Sequence, residues 1–277
     1  MLSASALPAF AIIYALWFIA GAYVYIALVR QIAARRVISN DPARSTTTPD
    51  AMPTFGGLES IFAAILIALL LVNIRAAFSV QPSEVSVRAL LSSFVVTFGI
   101  ILVIIVVLQV RGRSVTELAG LTKLGAVRAI FTGALLLFFA YPLLNTAELI
   151  LQRFYGSGFS NQSIVDFFNT SQTLRERITV IIFAVALAPL SEEFLFRFFL
   201  YGVLRRHFGV TFGLCANALL FAAAHGHLPS FPLLFILGAC FTIAYEWSGS
   251  LLVSMTMHSL FNASSLIVLA FPQLSAP

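Results

Sequence analysis

Hydrophobic side chains make up 60% of the 277 residues, charged ones only 10%, and the mean hydropathy is +0.99. A soluble domain holds about 45–50% apolar and roughly 25% charged residues, so a water-facing exterior is excluded and much of the surface must meet lipid. The formal charge of +5 is read as membrane topology and contact with anionic lipid, because nothing else in the chain supports a nucleic-acid partner.

About 20 apolar residues cross the hydrocarbon core as a helix, and that length parses the chain. Leu7 to Val29 is an uncharged first span, followed by Leu58 to Ile74 with Glu59 at its edge and by Ala89 to Val110. Ala129 to Leu151 is the fourth, carrying Glu148 near its end. Ile178 to Leu204 is the fifth and is interrupted by polar residues. Val210 to Ala224, which is short, then Phe231 to Trp247 and Ser250 to Phe271 complete eight spans. There is no internal repeat and no strand alternation of the kind a barrel needs. The expected fold is all-α, a polytopic transmembrane helical bundle. Residues 1–177 would supply four spans and a connecting loop, and residues 178–271 a helical core packed with them as one membrane domain.

The first span is expected to be retained, since Met1 to Ala6 carries no Lys or Arg and basic residues follow the run. Orientation follows from the Lys/Arg bias. Arg30, Arg35, Arg36, Arg44, Arg111, Arg113, Lys123, Arg128, Arg205 and Arg206 fall on one side, against Arg75, Arg88, Arg153, Arg175 and Arg177 on the other. Both termini should therefore face away from the cytoplasm, and the expected location is the cytoplasmic membrane of a bacterium. Ser39 to Phe55, rich in Pro, Thr and Asp, reads as an exposed loop. Gln152 to Arg177 reads as a longer connection with a short amphipathic helix from Ser163. Cys215 and Cys240 lie within spans, and two lone cysteines fit no metal-ligand spacing.

Ionisable groups inside a bilayer are costly, so each one is a functional candidate. The fifth span reads Ala188-Pro189-Leu190-Ser191-Glu192-Glu193-Phe194-Leu195-Phe196-Arg197. Glu193 and Arg197 are spaced i,i+4 with the acid first, which favours an ion pair on one helix. Glu192 points about 100° away and must find a partner elsewhere or be protonated. Pro189 frees a backbone carbonyl one turn before it. The bland alternative is that both acids only join helices through buried pairs. The sixth span, however, ends with Phe221 one turn before His225, and the eighth carries His258 and Asn262 at i,i+4. His207, beside Arg205 and Arg206, reads as interfacial, and His227 as a loop residue.

At about 1.5 Å per residue, Glu192 lies roughly 20 Å from the end near Arg205, His258 roughly 12 Å from its own end, and His225 roughly 22 Å. The three can meet if the helices tilt. A carboxylate near a water can act as general base, with an imidazole sharing the proton, and His258 with Asn262 could donate to an oxyanion. Glu192, His225 and His258 are equally a candidate ligand set for zinc or another divalent metal, two His and one Glu with an open position for water. No Ser or Cys stands in a nucleophile setting. Water attack on a carbonyl is the favoured chemistry, with or without metal.

Glu192-Glu193-x-x-x-Arg197, Phe221-x-x-x-His225 and His258-x-x-x-Asn262, in that order, resemble the three signature motifs of the CAAX protease and bacteriocin-processing (CPBP, or ABI) family, which includes the type II CAAX prenyl endopeptidases. Leu237-Gly238 through Tyr245, then Gly249-Ser250-Leu251, resembles the helix pair that leads into the family's last histidine. The resemblance covers roughly Ile178 to Asn262 and leaves the first four spans unmatched. It implies an intramembrane endopeptidase in which Glu192 activates water, His225 assists, His258 and Asn262 stabilise the oxyanion, and Glu193 and Arg197 support the site. The resemblance leaves zinc participation open and does not imply prenylated substrates. Membrane lipids and a peptide or protein substrate are the expected partners. Fold and motif do not guarantee activity, so a non-catalytic immunity or signalling protein on the same fold remains a competing reading. A proton-coupled transporter is another, disfavoured by the missing inverted repeat.

Overall fold

The computed structural model describes residues 7–39, 55–79, 86–156, 167–169, 171 and 173–271. Among these the regular structure is helical, without strands. Helix α1 is Leu7–Ser39, α2 is Gly57–Ser79 and α3 is Val87–Val110. A single turn, α4 (Val115–Leu118), precedes α5 (Ala126–Tyr155). Then comes a 51-residue helical stretch, Leu174–Ala224. Two further helices, α8 (Phe231–Ser248) and α9 (Leu251–Ala270), follow.

Seven helices are long and apolar enough to cross a membrane, and the 51-residue stretch is counted among them as one. It is broken at Gly209, whose φ of 82° and ψ of 169° are a backbone conformation essentially confined to glycine. The break separates α6 (174–208) from α7 (210–224), in line with the fifth and sixth spans expected from the sequence. Counting the two apart gives the expected eight.

Side-chain bonds set the helix directions. Tyr14 donates to the Pro142 carbonyl at 3.0 Å and Tyr25 to that of Leu136 at 3.0 Å, so α1 and α5 run antiparallel. At one end of the bundle Trp247 Nε1 donates to Gln31 at 2.8 Å, Arg111 pairs with Glu59 at 3.1 Å and Arg205 pairs with Glu246 at 3.1 Å. Ser60 meets His207 Nε2 at the same end, at 2.7 Å. These contacts gather the basic ends of α1, α3 and α6 on a single face, as alternating spans require. Helices α2 and α3 flank α6, while α1 and α5 flank α8 and α9. Half of α8's apolar window is buried against 11% for α3, so α8 is central and α3 peripheral.

Residues 40–54 of the expected loop lie outside the described residues. Phe55, at the end of that loop, is a correction to it. The ring is buried, 5.7 Å from Phe198 and 5.9 Å from Phe199 between centroids, because an aromatic side chain beside two other rings on α6 has apolar surface to cover. The short helix expected from Ser163 lies mostly outside the described residues, of which 167–169 are helical.

Candidate active site

Helix α6 is not a uniform α-helix. Its turns widen to π-type over Phe183–Leu187 and again over Phe194–Leu200, with α-helical Ala188–Glu193 between them. Single π turns recur at functional positions, because the extra residue re-aims the side chains beyond it. Here two of them bracket Glu192 and Glu193.

Glu193 and Arg197 form the ion pair that their spacing anticipates, at 2.9 Å, with both side chains wholly buried. A charged pair in such a place needs more than one contact to offset its desolvation. The guanidinium carbon of Arg197 lies 4.1 Å from the Phe221 ring centroid, 5.1 Å from Phe241 and 6.0 Å from Phe196, an aromatic enclosure that favours a cation. Arg197 Nη2 also donates to the Gly238 carbonyl at 3.5 Å. Gly238 keeps this approach close, since a Cβ there would stand 3.0 Å from the Phe221 ring and press on it.

His258 extends the pair into a chain. Its Nδ1 donates to Glu193 Oε1 at 2.9 Å, which leaves Nε2 facing Glu192 Oε2 at 3.9 Å. His225 closes the end of α7 and does the same from the other side. Its Nδ1 donates to the Phe221 carbonyl at 2.8 Å, and its Nε2 also stands 3.9 Å from Glu192 Oε2. That carboxylate oxygen is buried and has no direct hydrogen-bond partner among the described residues. Separations of this size between polar atoms are bridged by a single water.

The donor set also has the chemistry of a catalytic zinc site, namely two imidazole Nε2 atoms with their Nδ1–H oriented by a carbonyl and a carboxylate, plus one free carboxylate oxygen. Among the described residues, however, no group of three His, Cys, Asp or Glu side chains is gathered closely enough to hold a metal ion as the side chains stand.

The structure thus brings Glu192, Glu193, Arg197, His225 and His258 into one constellation. Asn262 is joined to it differently, donating through Nδ2 to the backbone carbonyl of Ala184 at 2.8 Å. His227 pairs with Ser230 at 2.8 Å in the turn beyond His225. Sequence spacing gives Phe221 only a face shared with His225, yet its ring also packs on Arg197. Phe241 and Gly238 carry no polar signal of their own. A further buried acid, Glu246, stands outside the residues that sequence spacing singles out, at the end of the seventh span. It accepts from Tyr201 at 2.9 Å and pairs with Arg205, and its signal in the sequence is an acid close to the exit of an apolar helix.

Fold and site together define an integral membrane protein with a partly buried Glu–His centre inside a helical bundle. Residues 174–264 match the family model described as type II CAAX prenyl endopeptidase Rce1-like, so the resemblance read from the three motifs is borne out across the segment that builds the site. Two curated proteins are similar to this chain. An uncharacterised Bacillus subtilis (strain 168) protein, YpbD, is 39% identical over 93 residues, which is 32% of this chain and 45% of that protein. The Staphylococcus aureus (strain USA300) membrane-embedded CAAX protease MroQ is 31% identical over 96 residues, 32% of this chain and 39% of that protein. The matched part therefore spans less than half of either relative. No solved structure matches.

Proposed function

We propose that the protein is an intramembrane endopeptidase that hydrolyses a peptide bond with water activated by Glu192. The observation that carries this reading is the buried Glu192 Oε2, without a direct hydrogen bond among the described residues and 3.9 Å from the Nε2 atoms of both His225 and His258. In this reading a water held among the three atoms gives its proton to Glu192 as it attacks the scissile carbonyl, and His225 shares that proton and passes it to the leaving amine. His258, anchored by Glu193 and Arg197, presents its Nε2 toward the developing oxyanion when protonated. The CAAX protease MroQ and the matching family model support a peptide substrate. The substrate is a membrane-associated peptide or protein, and lipid is the other partner.

A divalent ion would be held by Glu192, His225 and His258, and zinc bound there would supply Lewis-acid activation of the water. The engaged Nδ1 atoms support this second reading, since they leave both Nε2 lone pairs directed at the carboxylate. In either case the chain's own residues hold and orient the water.

The ten basic residues that the sequence assigns to one side support a cytoplasmic location for that face, with both termini outside, in a bacterial cytoplasmic membrane. Glu192 precedes Arg205 by about 20 Å of helix, in a hydrocarbon layer of about 30 Å, so the shorter water path to it runs from the opposite face.

The test is cleavage of a fluorogenic peptide by the full chain in lipid nanodiscs, with His225→Ala alongside and metal content measured by mass spectrometry. Cleavage that persists unchanged in His225→Ala would sink the site. Full turnover by strictly metal-free protein would select the glutamate route, and loss on chelation with recovery on zinc would select the metal.

A further inference from the structure

Asn262 is the member of the constellation whose bond points away from the two carboxylates. Its amide reaches the Ala184 carbonyl at 2.8 Å, and Ala184 belongs to the first wide turn, Phe183–Leu187. The hydrogen-bond register there is five residues, with the Ala188 N–H donating to the Phe183 carbonyl. One step along, the partner due to the Ala184 carbonyl is the N–H of residue 189. Residue 189 is proline and has none. The carbonyl would stand orphaned inside the bilayer, where an unsatisfied backbone group is costly.

We infer that Asn262 is a positioning residue that supplies the hydrogen bond Pro189 withholds, locking the wide turn that aims Glu192 at His225 and His258. The turn matters because it sets rotation. Relaxing one π turn to α geometry shifts everything after it by one residue, about 100° around the axis. Glu192 lies just beyond that turn. The same bond ties α9, which carries His258 one helical turn before Asn262, to the helix that carries Glu192. This role differs from oxyanion donation, and it rests on the proposed hydrolytic reading only where catalysis is measured.

A double-mutant cycle tests it in full-length protein in nanodiscs, using wild type, Asn262→Ala, Pro189→Ala and the double variant. Alanine at 189 restores the N–H and gives the Ala184 carbonyl a backbone partner. Asn262→Ala alone should lower the thermal midpoint and cut kcat on the fluorogenic peptide by about tenfold or more, the scale of a small misplacement, with KM little changed. In the Pro189→Ala background the same substitution should cost several-fold less in both readouts. Equal losses in the two backgrounds, as an amide touching only the oxyanion would give, would overturn the inference, as would an unchanged midpoint in both. If Pro189→Ala itself fails to turn over, the thermal cycle decides alone. Coupled midpoints with no cleavage by any of the four proteins would uphold the brace and refute the protease reading.

Discussion

Removing the charge of Arg197 tests how the centre is held. Arg197 is wholly buried, pairs with Glu193 at 2.9 Å and lies over Phe221 at 4.1 Å. Taking one partner from a buried ion pair costs about 3–5 kcal/mol, because the other charge is left uncompensated, and the lost cation–π contact adds roughly 0.5–2 kcal/mol. Glu193 keeps its bond from His258 Nδ1, so Arg197→Leu should fall near the lower end, about 3 kcal/mol. Reversible denaturation in mixed micelles measures this. The double variant Glu193→Leu/Arg197→Leu removes both charges and should recover much of the stability, since an apolar replacement of a whole buried pair is often neutral or better. It should not recover cleavage, because His258 then loses the carboxylate that orients its ring. A double variant as unstable as Arg197→Leu, or one that cleaves normally, would refute the reasoning.

Other substitutions separate the site from its surroundings. Gly209→Ala forces a Cβ into a conformation at φ 82° and should cost about 1–3 kcal/mol in the same denaturation assay, with activity per folded molecule retained. Tyr201→Phe removes a buried donor to Glu246 and should cost about 1.5–3 kcal/mol, again without lowering kcat, because that cluster sits at the basic end. Phe221→Leu should lower both stability and kcat, since the ring meets Arg197 and lies 4.8 Å from His225. A cysteine at Leu228, an exposed position in the turn beyond His225, placed in a background lacking Cys215 and Cys240, should react with an impermeant maleimide added outside intact cells. Labelling only after lysis would reverse the proposed orientation.

The lipid-exposed design is legible from apolar run length alone, because the bilayer imposes a length on each helix. The Glu193–Arg197 pair is legible because i,i+4 spacing fixes geometry within one helix. Spacing cannot give the partner of Glu193 across the bundle, since His258 comes from a helix 65 residues away. Nor does it show that the helix around Glu192 contains π turns, which no local pattern announces. Pro189 does announce a freed carbonyl, but the π register moves it to Ala184, where Asn262 meets it. Phe241 reads as an ordinary core aromatic until Arg197 and His258 are placed against it, at 5.1 Å each.

The central claim is that Glu192 is the base, and Glu192→Gln is its most direct measurement. The amide keeps the size and much of the hydrogen bonding of the carboxylate but cannot take a proton. Cleavage of the fluorogenic peptide by this variant in nanodiscs should fall by about 10²–10⁴-fold, the range of a lost general base, with the thermal midpoint held near that of wild type. A variant that folds and cleaves at the wild-type rate would contradict the account.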